Sequence, residues 1–345
     1  MTRPTHQRPA PLPRSLLFIP VPRESWIAKA ARFQPDGVIL DLEDSVPPAE
    51  KARCRELVGG QIAALAAAGI LPLVRINGLA EGGFDDLAAV VGPALFALVV
   101  PKVGTRAEIL ELCDRLSWHE GRAGLPRGAT RFLLLLETAA GIRDGHALLR
   151  LSPRGLGLFG ALSGPIVGDI ARAVNILPSI EGDEQAFYAS RLVLDTRAAG
   201  REIAVAAITG TALDDLALVR RLAERARRFG HTTLALIHPS HVAVANAVFT
   251  PGDAEVEEAV GLILAMAEGE RRGLGAVRFR AGRRWPPACR TIRPSRPGAR
   301  RGRRRRSPAE PRRASPPHIA YNLWRTPLRR ARLLSPFRRQ QPDYP

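Results

Sequence analysis

Eight short apolar runs, each followed by a stretch with helical character, constrain what this chain can fold into more than any other feature. The runs cover residues 16–20, 38–43, 73–77, 98–103, 132–138, 156–161, 203–209 and 234–239. Between and after them lie helix-like stretches at 24–33, 49–68, 84–91, 106–117, 145–150, 183–199, 213–228 and 254–270. Regular alternation of strand and helix through short Gly- or Pro-containing loops predicts an α/β fold with a parallel sheet. VILDL and FLLLLE are almost wholly apolar, as strands covered on both faces must be. Eight such units predict a (β/α)8 TIM barrel, a fold that places its active site at the C-terminal ends of its strands. In this chain those ends carry Asp41 and Glu43, Arg75 and Asn77, Lys102, Glu137 and His238.

Helix starts are signalled as well. Pro47-Pro48 precedes the second helix, and Thr105 with Glu108 has capping-box spacing. The segment 164–182 is longer than the other connections and is expected to lie as a loop over the barrel mouth.

The formal net charge of +18 suggests a nucleic-acid binder until it is mapped. Residues 278–345 hold 21 Arg, no Lys and only Glu310 and Asp343 as acids, a net +19 that leaves residues 1–277 within one charge of neutrality. Basicity therefore belongs to the tail, and the barrel gives no reason to expect nucleic acid or membrane as a partner. Three domains are expected: a disordered segment 1–14, a barrel 15–277, and an Arg/Pro-rich tail 278–345 of low complexity. For the tail three readings stand: genuine disorder, a basic arm that neutralises phosphates, or a frame-shifted translation. Cys54, Cys113 and Cys289 show no metal-ligand spacing, and an odd count fits a reducing compartment. With no secretory pattern at the N-terminus and no apolar stretch long enough to span a bilayer, a cytoplasmic protein is expected.

Residue chemistry narrows the function. Glu137 ends a run of four Leu, and a carboxylate there needs either a partner or a cation. A hard ion such as Mg2+ takes one or two carboxylates together with waters and substrate oxygens. Asp169, after Gly168 in the long loop, is the candidate second carboxylate. Arg75 is suited to two-pronged recognition of a carboxylate, with a salt bridge to Asp41 or Glu43 as the structural alternative. Asp41, Glu43 and Asp44 form a dense acidic cluster that Arg75 or Lys102 can pair with. His238 and His241 are expected to shape a turn rather than bind zinc. Ser163 in GALSG lacks the G-x-S-x-G elbow of a serine hydrolase.

Taken together, RSLLFIP, DGVILDLEDSVPPAEKARCRE, PLVRING, LVVPKV, LLLLETAAGI, SRLVLDTRAAG and LALIHPSHVAVANAVFTP resemble the citrate lyase beta subunit / HpcH–HpaI aldolase family, over residues 14–279. The resemblance implies a TIM barrel, a homo-oligomer (trimer or hexamer), and Mg2+-dependent carbon–carbon bond cleavage. The implied substrate is a malyl-, citramalyl- or citryl-type CoA thioester, or its acyl-carrier form. Glu137 matches the family's metal-ligand Glu, and Arg75 the Arg that holds a substrate carboxylate or enolate oxygen. The expected catalytic set is Arg75, Glu43 and Asp41. The expected substrate-binding set is Arg75, Arg14 and Lys102, with Arg23 as a further phosphate contact, and the expected metal ligands are Glu137 and Asp169. Three departures stand out: Ser163 occupies the place of a family Asp, Val21 that of a Gly, and no acid follows closely after Phe279. Two other functions remain open, an aldolase acting on free 2-oxo acids and a non-catalytic barrel working through a nucleic-acid-binding Arg tail.

Overall fold

Strand periodicity explains the architecture. Side chains alternate across a β-strand, and in a closed barrel one set points inward while the other meets the helices. Leu16, Ile39, Leu73, Val99, Leu133, Leu135, Phe159 and Val205 pack with one another as the barrel interior. Their neighbours Leu17, Val38, Leu40, Val74, Leu98, Val100, Leu134 and Ala204 belong to a second, larger core that includes residues of the surrounding helices.

The structure is a computed structural model and describes residues 12–163, 168–208, 213–274, 277–279 and 283–285. Eight parallel strands close in sequence order, β1 (Ser15–Pro20), β2 (Gly37–Asp41), β3 (Leu71–Arg75), β4 (Ala97–Pro101), β5 (Phe132–Leu135), β6 (Gly155–Ser163), β7 (Ile203–Ile208) and β8 (Thr233–Leu236). The (β/α)8 barrel expected from the sequence is the observed fold. Around it run α1 (Glu24–Ala30), α2 (Lys51–Ala67), α3 (Gly83–Val90), α4 (Arg106–Arg122), α5 (Ala139–Arg150), α6 (Asp169–Val174), α7 (Ala186–Ala198), α8 (Leu216–Phe229), α9 (Val242–Phe249) and α10 (Asp253–Arg271).

The chain parts into two compact units, Met1–Arg284 and Trp285–Pro345, and the barrel belongs to the first. Most of the segment 1–14, nearly all of the basic tail, and the side chain of Ser163 lie outside the described residues. No helix among the described residues is long and apolar enough to cross a membrane.

Three local differences from the sequence reading have physical reasons. Helix α5 begins six residues earlier than expected because Thr138 caps it, its Oγ1 accepting from the Gly141 amide at 2.9 Å. The 164–182 segment contains a short helix, α6, whose N-terminus carries Asp169. Helix α9 was hidden inside one long apolar run; a turn at Pro239–His241 separates it from β8. The capping box at Thr105 and Glu108 is formed as expected.

Two glycines let helices start close to the mouth. A Cβ on Gly83 would stand 2.3 Å from the Asn77 carbonyl, and one on Gly141 2.3 Å from the Val103 carbonyl. Any side chain there would push a helix away from the loop that carries Asn77 or Lys102.

Candidate active site

Register assembles the site. Across the β2–β3 pair Asp41 lies directly beside Arg75. Both stand two residues beyond interior core residues, Ile39 and Leu73, so alternation turns them inward above the barrel core. Glu137 continues the same parity two residues beyond Leu135. The floor beneath is aromatic: the Arg75 guanidinium sits 5.2 Å from the ring centre of Phe18, whose centroid is 6.2 Å from that of Phe159.

Arg75 is clamped from one side. Its Nε and Nη2 each donate to Asp41 at 2.7 Å, a bidentate pair with both partners largely buried. Its Nη1 faces Glu43 Oε2 at 3.0 Å and Asp44 Oδ2 at 3.3 Å. Burial alone would raise the Asp41 carboxyl, but the Arg75 hydrogen bonds and charge, with those from Ser45 and the Glu43 amide, hold it below the ordinary carboxylate range. Burial is likewise the largest influence on Arg75, yet its three acidic neighbours keep it firmly protonated.

Glu43 lies between two cations, 3.0 Å from Arg75 Nη1 and 3.0 Å from Lys102 Nζ. Both are charge contacts, and by geometry neither carboxylate oxygen has a hydrogen-bond partner among the described residues. Burial wins here and pushes the Glu43 carboxyl above its ordinary value.

Lys102 reaches this group through an unusual backbone. Its parity is that of Leu98 and Val100, which point out toward the helices, so a regular strand would carry it away from the mouth. Instead it has φ +58°, a left-handed conformation that costs a non-glycine residue about 1–2 kcal/mol. Its amine also lies 3.8 Å from Asp44 and 3.9 Å from Glu81. Strain held at a charged residue of a barrel mouth is a mark of a functional position.

Glu137 differs from all of these. Its Oε2 is buried with no hydrogen-bond partner among the described residues. Burial, then the nearby Glu43 charge only partly offset by Arg75, pushes its carboxyl up to about 8, and Asp169 and Asp44 add to the repulsion. Asp169 is thus within electrostatic reach of Glu137 while pairing with Arg172 on its own helix. An orphaned, buried carboxylate oxygen flanked by further acids is a place where a divalent cation would lower the energy, so Glu137 and Asp169 fit a Mg2+ that keeps waters and substrate oxygens as its remaining ligands. Among the described residues no three His, Cys, Asp or Glu side chains form a closed metal cage.

One expected site residue lies elsewhere. Arg14 precedes β1, at the N-terminal end of the barrel, where its Nε, Nη2 and backbone amide all donate to Asp36 at 2.6–2.9 Å. The strand runs away from it toward the mouth, which removes Arg14 from the substrate-binding set. His238 and His241 shape the turn after β8, Nδ1 of the first lying 2.6 Å from Ser240 Oγ and Nε2 of the second 3.2 Å from the Leu213 carbonyl. The sequence alone does not single out Phe18, which lies within the first apolar run, or Lys51, which lies within the helix-like stretch 49–68. Lys51 donates to the Leu42 and Glu43 carbonyls at 2.8 Å each and to Asn77 Oδ1. A polar pattern could have flagged it, a lysine eight residues after Glu43 in the same loop-and-helix unit.

Comparison with known proteins identifies the family and agrees with the barrel fold. The model of the HpcH/HpaI aldolase/citrate lyase family matches residues 14–239, and the chain belongs to that family. A citrate lyase subunit beta-like protein of Deinococcus radiodurans is 33% identical over 275 residues, covering 79% of this chain and 92% of the relative. A (3S)-malyl-CoA thioesterase of Cereibacter sphaeroides is 29% identical over 265 residues, covering 76% of this chain and 86% of its own length. Among solved structures, CitE of Mycobacterium tuberculosis in complex with magnesium, acetoacetate and coenzyme A superposes with a TM-score of 0.57 at 25% identity, covering 80% of this chain and 93% of that one. The family is one of lyases and CoA-ester-processing enzymes.

Proposed function

We propose that the barrel, residues 15–277, is a Mg2+-dependent carbon–carbon lyase that cleaves a 3-hydroxyacyl-CoA thioester of malyl, citramalyl or citryl type. The observation that carries this reading is Glu137, a half-buried carboxylate with one buried, unpartnered oxygen among the described residues and a carboxyl pushed up to about 8, at the same mouth as the cations Arg75 and Lys102. The magnesium, acetoacetate and coenzyme A held by the M. tuberculosis relative support the substrate class and the ion.

In the retro-Claisen direction the 3-hydroxyl loses its proton, the C2–C3 bond breaks, a carbonyl forms at C3, and the electron pair passes into the thioester as an enolate. The enolate takes a proton at C2 from the protonated base or water to give acetyl-CoA. Glu137 and Asp169 would hold Mg2+, which when bound polarises substrate oxygens as a Lewis acid. Glu43, raised by burial, is suited to accept the hydroxyl proton. Asp41 holds Arg75 along its Nε–Nη2 edge, leaving Nη1 on the side of Glu43, Asp44 and the substrate. That nitrogen and Lys102, each 3.0 Å from Glu43, also lie 3.3 and 3.8 Å from Asp44, whose side chain is 54% exposed. A substrate carboxylate or enolate oxygen takes the place of Asp44, where fixed cations stabilise charge as it develops. The same reading takes the protein to be a cytoplasmic homo-oligomer, trimer or hexamer.

The test is product analysis on malyl-, citramalyl- and citryl-CoA, with Mg2+ and with EDTA. EDTA-sensitive formation of acetyl-CoA and an oxo acid or aldehyde is expected. Release of free CoA thiol without acetyl-CoA would mean a thioesterase. Cleavage confined to free 2-oxo-acid aldols would replace the thioester reading with an aldolase.

A further inference from the structure

Besides the Arg75–Asp41 pair, a second cation, Lys51, ties the loop after β2 to the loop after β3. Asp41 organises the loop after β2 from above, accepting from the Glu43 amide at 3.0 Å, the Ser45 amide at 3.2 Å and the Ser45 hydroxyl. With the Glu43 amide turned toward Asp41, the Leu42 carbonyl of the same peptide points the other way, and the Glu43 carbonyl accepts from the Val46 amide at 3.1 Å. Lys51, the first residue of α2, meets both at 2.8 Å and spends its third donor on Asn77 Oδ1. An ammonium has three donors, and all three are used.

Asn77 is itself held from behind. Its amide N and Nδ2 donate to Asp86 Oδ2 at 2.8 and 2.7 Å, and Asp86 Oδ1 accepts from Arg55 Nε at 2.7 Å. Asn77 and Asp86 are both buried. The relay Arg55–Asp86–Asn77–Lys51 therefore anchors the loop bearing Glu43 to the segment that follows Arg75. No other described side chain donates to the Leu42 or Glu43 carbonyl.

We infer that Lys51 is a positioning residue for the reaction: its ammonium holds the Glu43 loop against the Asn77 loop, and so fixes Glu43 relative to Arg75 and Lys102. This deepens the function proposed above and rests on it. Lys51 makes no hydrogen bond or ion pair with Arg75, Lys102 or Asp44 among the described residues, so its removal takes away no binding group and acts on their mutual geometry. Outer partners of this kind change activity by about 10–100-fold when removed.

The experiment compares full-length wild type, Lys51→Met and Lys51→Arg in two measurements. Acetyl-CoA formation with Mg2+ should show Lys51→Met losing about 10–100-fold in kcat with KM within about threefold, and Lys51→Arg recovering part of the loss. Hydrogen exchange should rise about tenfold or more at the Glu43 and Ser45 amides, while the Gly128 and Thr130 amides at the other end of the barrel keep wild-type protection. Wild-type kcat in Lys51→Met, or unchanged exchange at Glu43 and Ser45, overturns the inference. If wild type itself forms no acetyl-CoA, the proposed function falls and the exchange data alone decide whether Lys51 holds the loop. Should Lys51→Met fail to fold, Lys51→Gln, which keeps a donor but no charge, carries the same two measurements.

Discussion

The two ends of the barrel bury carboxylates in opposite ways. At the N-terminal end Glu120 is fully buried and completely answered: Arg154 donates to both of its oxygens, and the Gly128 and Thr130 amides donate at 2.8 and 2.7 Å. Burial pushes that carboxyl up, but the Arg154 and amide hydrogen bonds overcome it and bring it down to about 2. At the C-terminal end Glu137 is half-buried, with its Oε2 buried and left without a hydrogen-bond partner among the described residues and its carboxyl up to about 8. Burial acts in the same direction on both, and the number of donors decides the outcome. A fully paired buried acid serves the fold, whereas an under-paired one in a barrel mouth costs the fold and is kept for chemistry.

The largest effects should come from the under-paired end. Glu137→Gln should abolish Mg2+-dependent cleavage, a loss of at least ~10³-fold if the ion is held there, while stabilising the metal-free protein at alkaline pH. A raised acid keeps its proton more tightly in the folded state, so its contribution to stability is present below about pH 4.5 and is lost as pH rises through 8. Melting curves at pH 6 and pH 9 should therefore show the variant's advantage growing with pH; an advantage independent of pH would sink the assignment.

Arg75→Lys should follow, with about 10²–10³-fold lower kcat/KM from the lost bidentate geometry. Arg75→Leu should in addition lose about 3–5 kcal/mol of stability, because Asp41 and Glu43 would be buried without their cation. Urea unfolding separates the two effects, and a Leu variant as stable as wild type would contradict the clamp.

Glu120→Gln sharpens the contrast from the other side. With its folded value depressed from 4.5 to about 2, Glu120 contributes on the order of 3 kcal/mol that is present above pH 4.5 and lost as pH falls through 2. The variant should unfold at lower urea yet cleave substrate at the wild-type rate; a fall in kcat would blur the division between the ends. Smallest of all, Arg14→Ala should leave KM unchanged and cost at most about 1 kcal/mol, since its pair with Asp36 is partly exposed. A several-fold rise in KM would return Arg14 to the substrate site.

The fold was legible because strand parity and β/α alternation are local properties. All eight strands start within two residues of the expected positions, and Asp41, Arg75 and Glu137 fall on the inward register that alternation assigns them. What the sequence hid depends on backbone detail or on contacts between distant segments. Lys102 has outward parity and reaches Glu43 only through a left-handed φ, which no pattern around VVPKV announces. Lys51 meets Asn77 across 26 positions of sequence, and its role exists only once β2 and β3 are side by side. Arg14 shows the converse: closeness to β1 in sequence does not say which end of the strand a residue occupies. Helix α5 was read short because its first turn, Ala-Ala-Gly, shows no amphipathic pattern and is set by the Thr138 cap.

The most direct test of the contrast is the proton count on Mg2+ binding. Calorimetric titration of Mg2+ into the ligand-free protein, in buffers of different ionisation enthalpy, measures it. With its carboxyl near 8, Glu137 is mostly protonated at pH 7, so binding there should release close to one proton, and almost none at pH 9.5. Glu137→Gln should neither bind the ion comparably nor release the proton. Equal Mg2+ affinity in the variant, or no proton released by wild type at pH 7, would contradict the claim that this unpartnered carboxylate is the centre of the site.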